Sequence, residues 1–477
     1  MLEFVVDLDR PAEPFPHYWE ICVGSCHAAM ALREDWRRQL EQCHRDLGFR
    51  YIRFHGLLDD DMSVYCKNPY GRRKGRYSFF NVDAVYDFLL SIGMKPFVEL
   101  SFMPSDLASG PETIFHYRGN VTLPVDYGEW GKLIYELVRH LVERYGPAEV
   151  RSWFFEVWNE PNLTPGFWTG TMADYFELYR YAAEAIKRVD PGIPVGGPAT
   201  AGNAWIPEMV AFCRENGVPL DFVSTHHYPG DKDFWGWEDP EGNGGGRKSG
   251  ILTAMARKAR REAGRLPLYY TEWNPGWHLD EPYAAAALVK TILDNQGLVD
   301  IYSYWTFSDL FEEWPFESTP FHDGFGLQTI HGIAKPSYRA FQLLHAAGRE
   351  RIPVEGPTDA TVEVAALTCG RRLMILAYNH DVPGAPIRAE TVRVLVRGAV
   401  GSPIAARVVR IDEEHANAKK RWLELGSPVY PDRTVLHELR RASELKAEPL
   451  APARAGSNLL FELLLLPHAV AAIMLDW

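Results

Sequence analysis

The sequence is poor in cysteine and has no surplus of positive charge. Only 6 of its 477 residues are Cys, at positions 22, 26, 43, 66, 213 and 369. Cys22 and Cys26 fall on one expected strand, where four residues at about 3.3 Å each put them about 13 Å apart, too far to be bridged. All six are therefore expected to be reduced thiols of a cytoplasmic protein. Asp and Glu outnumber Lys and Arg by 63 to 50, a formal charge of −13. Nucleic acid and anionic membrane both need a basic surface, so neither is expected as a partner. The basic run "GRRKGR" (71–76) is read as a solvated loop in this acidic chain. The opening "MLEFVVDLDRPAEPF" has no basic start and no long apolar run, so neither a signal peptide nor a membrane span is expected there. No HExxH, CxxC or P-loop spacing occurs, and no metal or cofactor is expected. No repeat of 20 to 50 residues stands out either.

What is abundant is aromatic. Phe, Trp and Tyr make up 13% of the chain, with 15 Trp and 22 Tyr. A large core explains this, and so does a site that packs flat rings against sugar; composition does not separate the two.

Short apolar runs alternate with helical spacing. Eight strand candidates are "EICVGSC" (20–26), "RYIRFHG" (50–56), "KPFVELS" (95–101), "SWFFEVWNE" (152–160), "PVGGPA" (194–199), "DFVSTHHY" (221–228), "PLYYTEW" (267–273) and "IYSYWTF" (301–307). Between them Trp36, Leu40, Cys43 and Leu47 recur on one helical face, with Gly48 as the stop. Val82, Val85, Leu89 and Ile92 repeat the pattern before Gly93, and Leu178, Ala182, Ile186 and Val189 repeat it before "DPG". Eightfold alternation predicts a (β/α)₈ TIM barrel over residues 14–349. An open doubly wound sheet competes, but the count and the polar strand tips favour the barrel. From about residue 350 the runs "TVEVAALTCG", "RRLMILAYNH", "ETVRVLVRG" and "NLLFELLLLPHAVAAIMLDW" carry hairpin signals, which predicts a β-sandwich accessory domain over 350–477. "EEHANAKKRWLELG" and "DRTVLHELRRASEL" add some helix to it, and residues 1–13 are expected to join it.

In a barrel, functional groups gather at the C-terminal ends of the strands. Strand two ends in His55, strand three holds Glu99, and strand four ends in Asn159 and Glu160 within "WFFEVWNEPNL". Strand six ends in His226, His227 and Tyr228, strand seven in Glu272, and strand eight carries Trp305. His226 and His227 are adjacent, so they face opposite sides of the sheet and cannot easily share one metal. Glu160 and Glu272 face each other across the mouth, as retaining glycoside hydrolysis requires of two carboxyl groups about 5 to 5.5 Å apart. A lone strand-end Glu is more often a cap or an ion-pair partner. An amide and a carboxylate between Trp and Pro are costly to place idly, however, because each needs hydrogen bonds when buried. Glu99 and Glu156 are read as buried structural carboxylates.

"EVWNEPNL" and "YYTEWN" resemble glycoside hydrolase family 39, the β-xylosidase and α-L-iduronidase family. "FRYIRFHGLLDDDM", "DFLLSIGMKPFVELSFMP", "SYWTFSDLFEE" and "FHDGFGL" resemble its β-xylosidase branch, closely from about Pro14 to Leu344 and more loosely beyond. The resemblance implies Glu160 as acid/base, Glu272 as nucleophile and Asn159 as the partner of the substrate 2-hydroxyl. It places His55, Phe115, His226, Tyr228, Trp305 and Glu312 or Glu313 near the sugar, with the slight edge to Glu313. A retaining, exo-acting β-xylosidase acting on xylo-oligosaccharides is expected, needing no metal or cofactor. Another sugar on the same site, or an inactive carbohydrate-binding barrel, are the alternatives. No Arg or Lys stands at a strand tip to pair a uronate, which disfavours an iduronidase. The resemblance also implies homo-oligomers. One segment fits no family motif: "PGDKDFWGWEDPEGNGGGRKSG" (229–250) reads equally as a lid or a disordered excursion, with Trp235 and Trp237 as contacts for a leaving-group sugar.

Overall fold

A computed structural model describes residues 1–67, 76–231, 248–399, 401, 403–456 and 458–477. Its centre is a closed barrel of eight parallel strands in sequential order. These are β1 (Cys22–His27), β2 (Tyr51–His55), β3 (Lys95–Leu100), β4 (Phe154–Val157), β5 (Val195–Thr200), β6 (Phe222–His227), β7 (Leu268–Trp273) and β8 (Ile301–Tyr304). Each is followed by a helix: α1 (Glu34–Leu47), α2 (Phe80–Ser91), α3 (Tyr127–Tyr145), α4 (Met172–Val189), α5 (Ile206–Asn216), α6 (Ile251–Ala263), α7 (Pro282–Asp294) and α8 (Pro336–Ala346). The expected (β/α)₈ barrel is thus present, and the open sheet is excluded by its closure.

The helices form where the apolar spacing says they should. Trp36, Leu40, Cys43 and Leu47 are the buried stripe of α1, and Gly48 ends it in the left-handed conformation at φ 76°. In α2, Val82, Val85 and Leu89 are buried, but the helix stops at Ser91, one residue before Ile92. A capping box between Thr171 and Asp174 starts α4. Full burial of one such large apolar side chain contributes about 1.5–3 kcal/mol.

The barrel interior is layered, because alternate residues of each strand point inward. At the N-terminal end Phe97, Phe222, Tyr269 and Ile301 form an apolar plug, with Tyr51 and Phe154 packed on it. Two residues further along the same strands stand Arg53, Glu99, Glu156, Ser224, Thr271 and Ser303, all fully buried. The switch from an apolar to a polar layer occurs within one pleat and sets the floor of the barrel mouth.

Besides two short two-stranded ribbons, two larger sheets lie outside the barrel among the described residues. One pairs Val354–Glu355, Leu2–Asp7, Glu390–Arg397, Asn458–Leu465 and Ala453–Ala455 in that order. The N-terminal strand runs parallel to Glu390–Arg397, with Phe4 opposite Val394. The other contains seven strands and includes the hairpin Val362–Cys369 and Arg372–Asn379. Phe4, Val6, Val394, Phe461, Ile375 and Ile473 share a separate apolar core between them. Helices Ala418–Glu424 and Arg433–Ala442 complete this mostly-sheet region.

Candidate active site

The two strand tips that carry the candidate carboxylates are both irregular. β4 stops at Val157, shorter than the 152–160 run expected, because Trp158 turns to φ 73° and Glu160 to φ 44°. Such left-handed backbone is unfavourable for bulky residues and persists only where the surroundings impose it. Here Glu160 N–H donates to Ala199 O at 2.8 Å, which fixes the turn and lifts Asn159 and Glu160 over the barrel. On β7, strict alternation would turn Glu272 away from the interior that Thr271 faces. The register with β6 and β8 slips at this end of the strand, and both side chains reach inward, as the bonds below show.

Arg53 organises the floor. Its guanidinium, with no side-chain exposure, donates to Glu156 Oε2 at 2.6 Å, Glu272 Oε1 at 2.8 Å and Asn159 Oδ1 at 2.9 Å, and pairs with Glu99 Oε2 at 2.8 Å. Arg53 is not among the strand-tip residues because it lies one pleat below His55. The signal was nevertheless there: an Arg inside an apolar run, on the same face as His55, must have buried acidic partners. A cation therefore does stand in the mouth just below the strand tips, although its partners Glu156, Glu272, Asn159 and Glu99 are all groups of the protein itself. Burial alone would raise the Glu99 carboxyl, but Arg53 and His55 hold it below its ordinary value. In Glu156 burial outweighs Arg53, and the pKa is raised.

Arg53 also orients Asn159. An arginine only donates, so the amide oxygen faces it and the amide nitrogen faces the other way. That Nδ2 is buried and has no hydrogen-bond partner among the described residues. It is a donor held ready for an oxygen in the mouth.

Glu160 and Glu272 differ in what they touch. Glu272 accepts from Arg53 at Oε1 and from the Tyr228 hydroxyl at Oε2, 2.8 Å away. Tyr228 is itself held through its backbone N–H by Asp231, whose carboxyl is pushed up to about 7 by burial. Glu160 lies against His226, with Oε1 2.9 Å from Nδ1. A chain of bonds decides who donates. Thr271 Oγ1 gives its proton to Glu156 Oε1 at 2.8 Å, so it accepts from His226 Nε2 at 3.0 Å. Burial, then the Arg53 charge, depress the His226 pKa far below its ordinary value. A neutral imidazole with its proton on Nε2 offers a bare Nδ1, and Glu160 must be the donor. Burial and the neighbouring Glu272 both raise the Glu160 pKa, in agreement. A carboxyl oxygen of each glutamate lies within 4.8 Å of one on the other, which fits the close spacing of a retaining pair better than the about 6.5–9.5 Å between carboxyl groups that leaves room for an inverting water.

Other expected residues surround this pair. His55 bonds Glu99 through Nδ1 at 2.8 Å and turns Nε2 toward Glu272 at 3.6 Å and Glu313 at 3.9 Å. Trp305 packs 4.7 Å from the His55 ring, and Phe115 lies 6.4 Å from it, nearly parallel. Gly24 on β1 makes room for Trp305: a Cβ there would come within 2.4 Å of the indole. The structure separates the two candidate glutamates of the loop after β8. Glu313 is buried near His55, and burial with Glu272 raises its pKa, while Glu312 turns away to His27 at 2.6 Å. His227 lies on the outer face of β6, bonded to the Tyr302 hydroxyl at 2.8 Å. Most of the 229–250 segment, with Trp235 and Trp237, lies outside the described residues, as does most of 71–76.

Over 465 residues the chain is 53% identical to a β-xylosidase of Caldicellulosiruptor saccharolyticus, covering 96% of this chain and 94% of that one. It is 36% identical to a β-xylosidase of Geobacillus stearothermophilus over 90% of this chain and 87% of the other. A solved structure of a monomeric β-xylosidase from Caulobacter crescentus CB15 superposes with a TM-score of 0.86 at 34% identity, covering 100% of this chain and 99% of that one. The family model described as glycosyl hydrolases family 39 matches residues 3–459. With the barrel, its paired glutamates and these relatives in agreement, the chain belongs to glycosyl hydrolases family 39.

Proposed function

We propose that this family 39 enzyme is a retaining β-D-xylosidase that removes xylose from the ends of xylo-oligosaccharides by double displacement. The observation that carries the reading is the unequal environment of the two close carboxyl groups: Glu160 donates to His226, while Glu272 accepts from Arg53 and Tyr228. In the first step Glu160 gives its proton to the glycosidic oxygen as that bond to the anomeric carbon breaks. A Glu272 oxygen attacks the same carbon from the opposite face and forms a glycosyl ester. In the second, Glu160, now a carboxylate, takes a proton from water. The hydroxide oxygen bonds to the anomeric carbon, Glu272 departs, and xylose is released with its β configuration retained.

Asn159 Nδ2 serves the 2-hydroxyl, a hydrogen bond that strengthens in the transition state. His55, Glu313, Trp305 and Phe115 enclose the sugar, and His226 and Tyr228 bind it while holding the two carboxyl groups. A uronate is a poor fit, since Arg53 is engaged by protein groups and Glu313 would repel a second carboxylate. The two curated β-xylosidase relatives support xylose. We further take residues 14–349 as the catalytic unit and residues 1–13 with 350–477 as the accessory one, a division supported by the pairing of Leu2–Asp7 with Glu390–Arg397. A cytoplasmic role in xylan breakdown is supported by six free cysteines, two of them exposed. Among the described residues no helix is long and apolar enough to cross a membrane. One solved relative is described as monomeric, whereas the family resemblance implies a homo-oligomer, and sedimentation at assay concentration separates the two.

A panel of 4-nitrophenyl glycosides tests the substrate. The β-D-xyloside is expected to give the highest kcat/KM, ahead of the β-D-glucoside, α-L-arabinoside and α-L-iduronide. Preference for any of the other three would remove the xylose assignment.

A further inference from the structure

One polar cluster beside the sugar pocket is not used by the reaction. His27, at the tip of β1, is fully buried, and its Nδ1 has no hydrogen-bond partner among the described residues. That nitrogen faces Asp61 Oδ2 at 3.7 Å. Asp59 is also buried, with 4% exposure. One of its oxygens accepts from Phe102 N–H at 3.0 Å, while Oδ2 has no partner among the described residues. One donor atom from each of His27, Asp59 and Asp61 falls within 4.8 Å of the other two. No Lys or Arg pairs with Asp59 or Asp61 among the described residues, although two carboxylates this close repel each other.

We propose that His27, Asp59 and Asp61 bind a borderline divalent cation of the Zn²⁺ type. The donor set is one imidazole nitrogen and two carboxylates, which suits such an ion better than Ca²⁺ or Mg²⁺, whose ligands are oxygen. The support behind the histidine is of the kind that metal-binding imidazoles use. Its other nitrogen, Nε2, donates to Glu312 Oε1 at 2.6 Å, which fixes the tautomer and leaves Nδ1 bare. The ring is clamped flat against Tyr117, with centroids 3.9 Å apart and planes 9° from parallel. There is also a way in. A cleft of about 690 Å³ is lined by Asp59, Asp60, Asp61, Tyr117, Arg118 and Asn120. The Asp61 side chain is 39% exposed, so solvent can complete the coordination.

The position gives the ion a purpose. It would join the tip of β1 to the loop after β2 and, through the His27–Glu312 bond, to the loop after β8. That last loop carries Glu313, so the cation would brace one wall of the sugar pocket without touching the reacting atoms.

The test uses the full-length enzyme, stripped with EDTA and titrated with ZnCl₂ by calorimetry, with thermal unfolding followed alongside. One equivalent is expected to bind and to raise Tm, because an ion that binds only the folded chain stabilises it. Glu312→Gln, which removes the acceptor behind the imidazole, is expected to weaken binding by about 10–100-fold. Asp61→Asn, at a partly exposed position where folding is not at risk, is expected to weaken it further. Glu272→Gln is expected to leave binding unchanged. Absence of saturable binding, or full affinity in Asp61→Asn, would overturn the proposal. So would loss of binding in Glu272→Gln, which would place the ion among Glu160, His226 and Glu272 instead.

Discussion

His226 Nδ1 accepts a hydrogen bond from Glu160 across 2.9 Å, because the ring proton sits on Nε2, which donates to Thr271, whose own hydroxyl donates to Glu156. The proton on Glu160, the proposed acid, is therefore set by a bond relay that starts on β4, crosses to β7 and returns through β6. In the proposed mechanism Glu160 must be protonated, so kcat/KM is expected to fall as pH rises through its raised pKa. His226→Ala removes the acceptor that favours the protonated form and admits water. Its alkaline limb is expected to move to lower pH, read from a pH–rate profile on one aryl xyloside. An unmoved limb would mean that His226 does not hold that proton.

Glu160→Ala should reveal the acid by leaving-group dependence. Xylobiose needs protonation of the departing oxygen, and its hydrolysis should drop about 10²–10⁴-fold. With a good phenolate leaving group the first step should survive, and added azide should yield the β-xylosyl azide. An α azide would contradict retention.

Asn159→Ala removes one donor that has no partner among the described residues. If Nδ2 serves the 2-hydroxyl, kcat/KM for the xyloside should fall by about two orders of magnitude, some 3 kcal/mol. A 2-deoxy substrate should lose almost nothing. Equal losses on both substrates would assign Asn159 a structural role.

Arg53→Met would leave Glu99 and Glu156 buried without their cation, at a cost of about 3–5 kcal/mol. The pH dependence has a definite sign. Glu99 is held below its ordinary value of 4.5, so its contribution is present above that value and is lost as pH falls through the lower folded one. The gap in Tm between wild type and variant should therefore be widest near neutral pH and shrink on acidification below about pH 4, where the carboxylates of both proteins protonate. A constant gap across pH would mean that charge is not the cause.

The barrel was legible because its strands announce themselves as apolar runs and its helices as stripes such as Trp36, Leu40, Cys43 and Leu47. His226 and His227 were separable on alternation alone, and the structure sends them to opposite faces. Less of the site could be read. Trp158 and Glu160 leave the extended conformation, and the inward turn of Glu272 comes from a register slip that no pattern of residue types encodes. Arg53 is not legible from the strand tips, because the charge that bonds Glu272 and not Glu160 comes from the layer below. Glu312 and Glu313 are neighbours in sequence with like chemistry. Only the course of their loop decides that one meets His27 and the other His55.

The central claim is that Glu272 becomes covalently bound to the sugar, and a slow 2-deoxy-2-fluoro-β-xyloside with a good leaving group tests it directly. The account predicts a mass increase of one fluoroxylosyl group per chain, carried after digestion by the peptide that contains "YYTEWN" and located on Glu272. A label on Glu160, or turnover with no covalent adduct and an inverted product, would contradict it.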